Sequence, residues 1–431
     1  MKPDGLQLGS EMYELAAQLY PICRSITGNG VRQTLSALQE IIPIKVHEVP
    51  SGTQVFDWTV PKEWNIRDAY IKNPAGERIV DFLQCNLHVV GYSIPVRRIM
   101  RREELRPYLF SLPEHPDWVP YRTSYYRETW GFCLSDRQLA DLRDENYEVC
   151  IDSTLAPGHL TYGECFLPGR SSDEILISCH TCHPSLCNDN LSGIAVAVFL
   201  AKHFKSIQRR YSYRFLFLPG TIGSITWLAL NEARLENIKH GIVLAGVGDR
   251  GGMTYKKSRR GDAEIDKAFQ HVLMHSGSKH KIIDFFPYGY DERQYCSPGV
   301  DLPVGCMMRT QWGQYPEYHT SADNQGFIEP HSLWDSFHQC LSVLELIESN
   351  YAYLNQNPMC EPQLGKRGLY RSLGGNTQDK TREMAVLWVL NLSDGRHTLL
   401  DIAETASLDF RTVCAAANTL YEHGLLKPIE P

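Results

Sequence analysis

The sequence predicts an α/β fold: a mostly parallel sheet with helices on both faces, an inserted β-rich domain and a C-terminal winged-helix domain. Three observations carry this. From Tyr147 to about Tyr353, strand-like and helix-like segments alternate, the pattern of a parallel sheet covered on both faces. From about Ile44 to Leu142 the texture is short apolar–polar alternation broken by Pro and Gly, as in short antiparallel strands. After a Gly-rich stretch, the C-terminal segment orders three helical stretches and a short strand, the order of a winged helix.

Taken in chain order, residues 10 to 41 read as helical, with a break at Pro21 to Arg24 and "TGNG" as a turn. "VHEVPSGTQVFDWTVPKEW" and "NLHVVGYSIPV" supply the short strands of the insertion. "DEILISCH" is an apolar strand ending in polar residues. "GIAVAVFLAKHF" is apolar almost all round and reads as a buried helix. "YRFLFLPGTIGS" is a strand and turn, "ITWLALNEARL" a helix and "HGIVLAGVGD" a strand. "EPQLGKRGLYRSLGGNT" is the linker. The expected limits are 1–45 with 148–360 for the α/β domain, 46–147 for the insertion and 375–431 for the winged helix. The insertion is expected to narrow access to the site.

Composition sets the function classes. A net charge of −7 supplies no basic field for nucleic acid or an anionic membrane. No apolar run approaches the roughly 20 residues that span a bilayer. The N-terminal "MKPDGLQLGSEMYELAAQLY" has no continuous apolar core, so no signal peptide is read. The 13 cysteines are an odd number without repeating spacing. They suggest reduced thiols and a cytoplasmic protein. In the tail, Lys380, Arg382, Arg396, Arg411 and Lys427 face eight acidic residues between Asp379 and Pro431. DNA binding needs several phosphate-neutralising cations. The tail is therefore expected to serve packing, a protein contact or a homo-oligomer rather than DNA.

The chemistry lies in three polar knots, each after an apolar segment. In open α/β sheets, ligands gather at the carboxyl ends of strands. The first knot is "SCHTCHPSLCNDNLSG", with His180, His183 and Asp189. The second is "YGYDERQYCSPGVDLP", with Asp291, Glu292 and Arg293. The third is "QYPEYHTSADN", with Glu317, Tyr318, His319 and Asp323. Imidazole and carboxylate are the usual ligands of a catalytic zinc with an open position. Each knot also has a plainer reading. Asp189 before a helix serves as an N-cap, and a histidine after a strand is often only hydrogen-bonded structure. Cys179, Cys182 and Cys187 lack the distant second pair that a structural zinc site needs. Trp58 and Trp64 read as core before cleft, and "YKKSRRG" as a solvated loop or a site for an anionic substrate group.

These strings, in this order, resemble the motifs of zinc aminopeptidases of the bacterial leucyl aminopeptidase superfamily. Almost the whole chain is similar to a bacterial aminopeptidase-like family often labelled as polysaccharide-biosynthesis proteins. The match rests on "YPICRSITGNGVR", "VPSGTQVFDWTVPKEWNIRDAYI", "HTCHPSLCNDNLSG", "YKKSRRG", "DERQYCSPGVDLPVG" and "YPEYHTSADN". The resemblance implies a zinc-peptidase-like α/β domain with the insertion and tail already described. It implies Asp189 as the metal-bridging carboxylate, His319 and Asp291 as ligands, and either His180 or His183 as the first imidazole. Cys182 stands where the superfamily has an aspartate that orients the ring. One zinc ion is expected in preference to two.

The departure is "LPGTIGS". The close family has Pro-Glu-Thr at this turn, and the superfamily carries its catalytic glutamate there; this chain has Gly220. A carboxylate that accepts a proton from the attacking water contributes about 10²–10⁴-fold. Glu317 and Glu292 are the candidates to replace it. Arg293, Arg259 and Tyr318 are the expected substrate contacts. The expected function is a metal-dependent hydrolase of amide bonds, acting on a small peptide or aminoacyl compound. The alternative is a metal- or ligand-binding protein that kept the scaffold and lost the base.

Overall fold

The structure is a computed structural model and describes residues 5–369 and 377–429. Residues 370–376 of the Gly-rich linker, with the expected limit at 375, lie outside the described residues. The described residues form two compact units, one within 1–263 and 279–338, the other within 264–278 and 339–431. No helix among them is long and apolar enough to cross a membrane.

The first unit is built on an eight-stranded sheet. Its strands are β1 Lys45–Pro50, β2 His159–Leu167, β3 Glu174–His180, β4 Ser212–Leu218, β5 Ile238–Leu244, β6 Met253–Lys256, β7 His280–Ile283 and β8 Val304–Met308. Their spatial order is β1-β2-β4-β3-β5-β8-β6-β7. The core β4-β3-β5-β8 is parallel, and β6 pairs parallel with β7. Antiparallel pairs β1–β2, β2–β4 and β6–β8 flank the core. Every residue of β3 and β4 is buried, as expected of strands covered on both faces. The one cation in β4, Arg214, is tolerated there because Glu174 of β3 lies 2.7 Å away and Glu164 of β2 also pairs with it. The helix Gly193–Lys205 follows β3 and is buried without interruption from Gly193 to Ala201.

The helices Gly5–Leu19 and Asn29–Gln39 precede the sheet. Gly28, just before the second, has φ 97°, and a Cβ there would sit 2.1 Å from the Trp64 carbonyl oxygen. Only glycine fits that turn. Between β1 and β2 the chain builds a four-stranded antiparallel sheet in the order Arg78–Asp81, Glu63–Lys72, Asn146–Ala156, Val96–Arg101. Trp64 belongs to its core, 4% exposed, with its indole N–H donating to the Ser93 carbonyl at 2.9 Å. Trp58, by contrast, is 45% exposed.

The second unit holds a three-stranded antiparallel sheet, Asp394–Thr398, Ala352–Asn355, Leu426–Pro428. The helices Thr377–Leu392, Leu399–Ala406 and Phe410–Glu422 accompany it. Thr398 and Asp401 close a reciprocal capping box on the second helix, which satisfies its orphan N–H groups. The central strand, Ala352–Asn355, lies upstream of the Gly-rich linker. A four-residue strand carries too little periodicity to stand out in sequence, whereas the linker's glycines do.

Candidate metal centre

His180 is the last residue of β3, 2% exposed, so the parallel core aims its ring at the carboxyl end of the sheet. Asp189 lies in the wide turn Cys187–Ser192 that leads into the buried helix, with non-helical φ −110° and ψ 83°. That turn is clamped by Asp323. The Asn188 and Asp189 N–H groups donate to its two carboxylate oxygens at 2.6 and 3.0 Å, and the Cys187 N–H donates to its carbonyl at 2.9 Å. Asp189 caps no helix; its carboxylate is faced by imidazoles. His180 Nε2 is 2.7 Å from Oδ1, His319 Nε2 is 3.0 Å from Oδ2, and His183 Nε2 is 3.7 Å from Oδ2. Sequence reasoning left His180 and His183 as rivals, but both rings approach the same carboxylate, their centroids 4.9 Å apart.

Asp291 comes from the loop before the short helix Glu292–Tyr295 and is fully buried. Its Oδ1 accepts from Ser224 Oγ at 2.8 Å. Its Oδ2 is buried with no hydrogen-bond partner. Gly220 completes the ring. A Cβ built there would lie 3.1 Å from His180 Cβ and 3.4 and 3.5 Å from the Asp291 oxygens.

The donor set fits zinc. Ligand atoms about 2 Å from a tetrahedral ion are roughly 3.3 Å apart, and the three imidazole–carboxylate separations, 2.7, 3.0 and 3.7 Å, bracket this. Ligand atoms of His180, His183 and Asp189 all lie within 4.8 Å of one another. The orphaned Asp291 Oδ2 is a buried acceptor awaiting a cation, since a buried polar atom without a partner is costly. Burial pushes the His183 imidazolium down to about 3, so the ring is neutral near pH 7 with a lone pair to offer. Burial alone would raise the Asp189 carboxyl, but the imidazoles, His183 foremost, hold it well below its ordinary value.

Burial raises Asp291 to about 6, against a smaller lowering by His180 and Ser224. This carries a pH prediction. A carboxyl that keeps its proton up to about pH 6 must release it to meet a cation, so zinc affinity falls as pH drops from 7 to 5. Zinc titrations of the stripped protein across that range measure this. Asp291→Asn should flatten the slope, and an equal slope in both proteins would refute the assignment.

Aromatic rings enclose the cluster. Tyr290 stacks on His180 at 5.0 Å and Tyr318 on His319 at 3.9 Å. Tyr121 meets both His183 and His319 at 5.2 Å. Tyr121 arrives from the segment between β1 and β2. Its N–H donates to the His319 carbonyl at 2.8 Å, and the Ser321 N–H donates to the Val119 carbonyl at 2.8 Å. Arg24 supports the same loops from behind, donating through Nε to the His183 carbonyl at 2.8 Å and through Nη1 to the Leu19 carbonyl at 2.7 Å. Sequence reasoning gave no role to Tyr121, Tyr290 or Arg24. They belong to distant segments whose local patterns carry no ligand signal.

The remaining candidates are placed as follows. Glu292 is buried and ion-paired with Lys256 at 2.8 Å; Lys256 Nζ also lies 4.2 Å from the Phe286 ring centre. Arg293 lies against the Tyr288 ring at 6.0 Å, and its buried Nε has no partner. Glu317, partly exposed, offers its carbonyl to the Thr320 hydroxyl at 2.8 Å, two residues from His319. Arg259 is spent on Asp301 at 2.9 Å, so "YKKSRRG" is largely neutralised within the fold. Cys182 Sγ is 3.4 Å from His183 Nδ1 and 3.6 Å from the Gly220 carbonyl. It therefore touches the second histidine, not His180.

Residues 13–350 match the domain of unknown function DUF4910, and residues 351–428 match a winged helix-turn-helix family. A Clostridium acetobutylicum protein, named as a polysaccharide biosynthesis protein with aminopeptidase-like domain, is 54% identical over 98% of this chain and 97% of its own length. A crystal structure of a C. acetobutylicum protein superposes with TM-score 0.94 at 52% identity, covering 99% of this chain and 97% of that one. A zinc aminopeptidase from Bacillus subtilis shares the fold at TM-score 0.56 and 12% identity, covering 78% of this chain and 94% of that one. The chain belongs to the DUF4910 family, an aminopeptidase-like α/β domain followed by a winged helix.

Proposed function

We propose that this protein is a zinc-dependent hydrolase of amide bonds, aminopeptidase-like, acting on a small peptide or aminoacyl compound. The observation that carries it is the convergence of three imidazoles on buried Asp189, beside the partnerless oxygen of Asp291. Asp189, Asp291, His319 and one of His180 and His183 would hold the ion, one rather than two, because Gly220 supplies no further carboxylate. Zinc supplies Lewis acidity toward a carbonyl and toward water. Arg293, whose Nε is unpartnered, is suited to a substrate carboxylate, since guanidinium pairs bidentately. Tyr318, stacked on His319, offers a flat wall to the substrate. Arg259 would reach substrate only by leaving Asp301.

Glu292 is held by Lys256, so Glu317 is the better-placed carboxylate to take up the proton. Gly220 favours a second reading, a metal- or ligand-binding protein without turnover. Aminoacyl anilides and dipeptides, assayed before and after chelation and zinc return, separate the two. Slow, zinc-restored cleavage that Glu317→Gln abolishes is expected. A zinc-loaded chain inert toward every substrate would leave the binding reading standing.

A further inference from the structure

A second concave site lies away from the histidine ring. A cavity of about 690 Å³ is lined by Phe56, Asp57 and Trp58 of the hairpin Gln54–Val55/Trp58–Thr59, and by Ile225, Leu228, Glu232, Leu235, Gln294, Ser297, Gly299 and Val300. Its size is that of small-molecule sites, roughly 300–1,000 Å³. None of the five candidate ligands lines it.

Its construction is not that of a chance gap. The floor is apolar, with Ile225 and Leu228 on the helix Ile222–Leu230. One wall is a hairpin tip that leaves Phe56 and Trp58 49% and 45% exposed, although large aromatics normally stabilise by burial. Tyr126, 53% exposed, leans on Trp58 at 5.5 Å. Phe56 opens the two-residue turn with φ 53°, the left-handed conformation such a hairpin turn requires, and lines the cavity. Asp57 and Glu232 line the cavity and no basic residue does; among the described residues neither carboxylate is in an ion pair of 4 Å or less.

We infer that this cavity binds an organic cation with an apolar body, such as an arylalkylamine. Asp57 and Glu232 are both exposed to solvent, so they bias the cavity toward positive charge without requiring it, and exposed aromatic faces attract cations. The floor takes the apolar body. An anion would be repelled, and a neutral ligand would gain nothing from either carboxylate.

The test uses the full chain with tryptamine as probe and tryptophol, its neutral counterpart, as control. Saturation-transfer NMR and calorimetry should show saturable tryptamine binding, with tryptophol at least tenfold weaker. The double variant Asp57→Asn/Glu232→Gln, and separately Trp58→Ala, should each weaken tryptamine at least tenfold with an unchanged circular dichroism spectrum. Binding should persist after chelation, which distinguishes this cavity from the histidine ring. Equal affinity for the two probes, no saturable binding, or full affinity in the double variant would overturn the proposal. So would a dimer in sedimentation that Trp58→Ala converts to monomer, because the hairpin would then be a self-interface.

Discussion

Asp189→Asn should strip zinc from the protein. Metal per chain, measured by elemental analysis after dialysis, should fall from near one to below a tenth. Among the described residues, Asp189 is the group that meets all three imidazoles, at 2.7, 3.0 and 3.7 Å, and it is fully buried. Asparagine keeps the shape and removes the charge. It can present only one carbonyl oxygen where the carboxylate presents two. Loss of an outer partner of a metal ligand already costs about 10–100-fold in affinity, so loss of this central ligand should exceed about 100-fold. His319→Ala should act in the same direction with a smaller effect, because His319 stands at the open edge with a third of its side chain exposed. Zinc added to stripped native protein should raise its melting temperature, since a ligand bound only by the folded state stabilises that state. Asp189→Asn should not respond. Undiminished zinc in both variants would mean that the metal sits elsewhere.

Gly220→Glu should raise kcat/KM on simple aminoacyl amides by about 10²–10⁴-fold, the range of a well-placed general base. The backbone allows it: Gly220 is not among the positive-φ residues. A new Cβ points into the ring, 3.4 and 3.5 Å from the Asp291 oxygens. The cost is the 3.1 Å approach to His180 Cβ, which a shift of a few tenths of an ångström relieves. A carboxylate beside Asp291 meets a like charge and little water, and both raise its pKa toward neutrality, where a base works best. Zinc content should not change. If the native chain already cleaves such amides briskly and Glu317→Gln stops it, the base resides at Glu317 and Gly220 is no deficiency. If both forms bind zinc and neither cleaves anything, the protein binds without turnover.

Much of this was legible in one dimension. The parallel core is written in the largely apolar runs of β3 and β4, because strands covered on both faces have no polar side to display. The first and third knots follow the core strands β3 and β8, whose carboxyl ends lie at the same edge of the sheet, whereas Asp291 comes from the loop between β7, which runs antiparallel to the core, and β8. Gly220 was visible as a missing carboxylate.

Only the tertiary structure decided the rest. His180 and His183 are indistinguishable by spacing. Both face Asp189 because the turn Cys187–Ser192, clamped by Asp323, presents one carboxylate oxygen to each. Glu292 and Glu317 looked equivalent until Lys256, 36 residues upstream of Glu292, proved to neutralise it. Trp58 and Trp64, six residues apart, have opposite fates: one caps a hairpin tip and the other fills a core. Tyr121 reaches His319 across nearly two hundred residues of chain. Each outcome depends on a partner distant in sequence, and local periodicity, which reports only a segment's own buried face, holds no information about that partner.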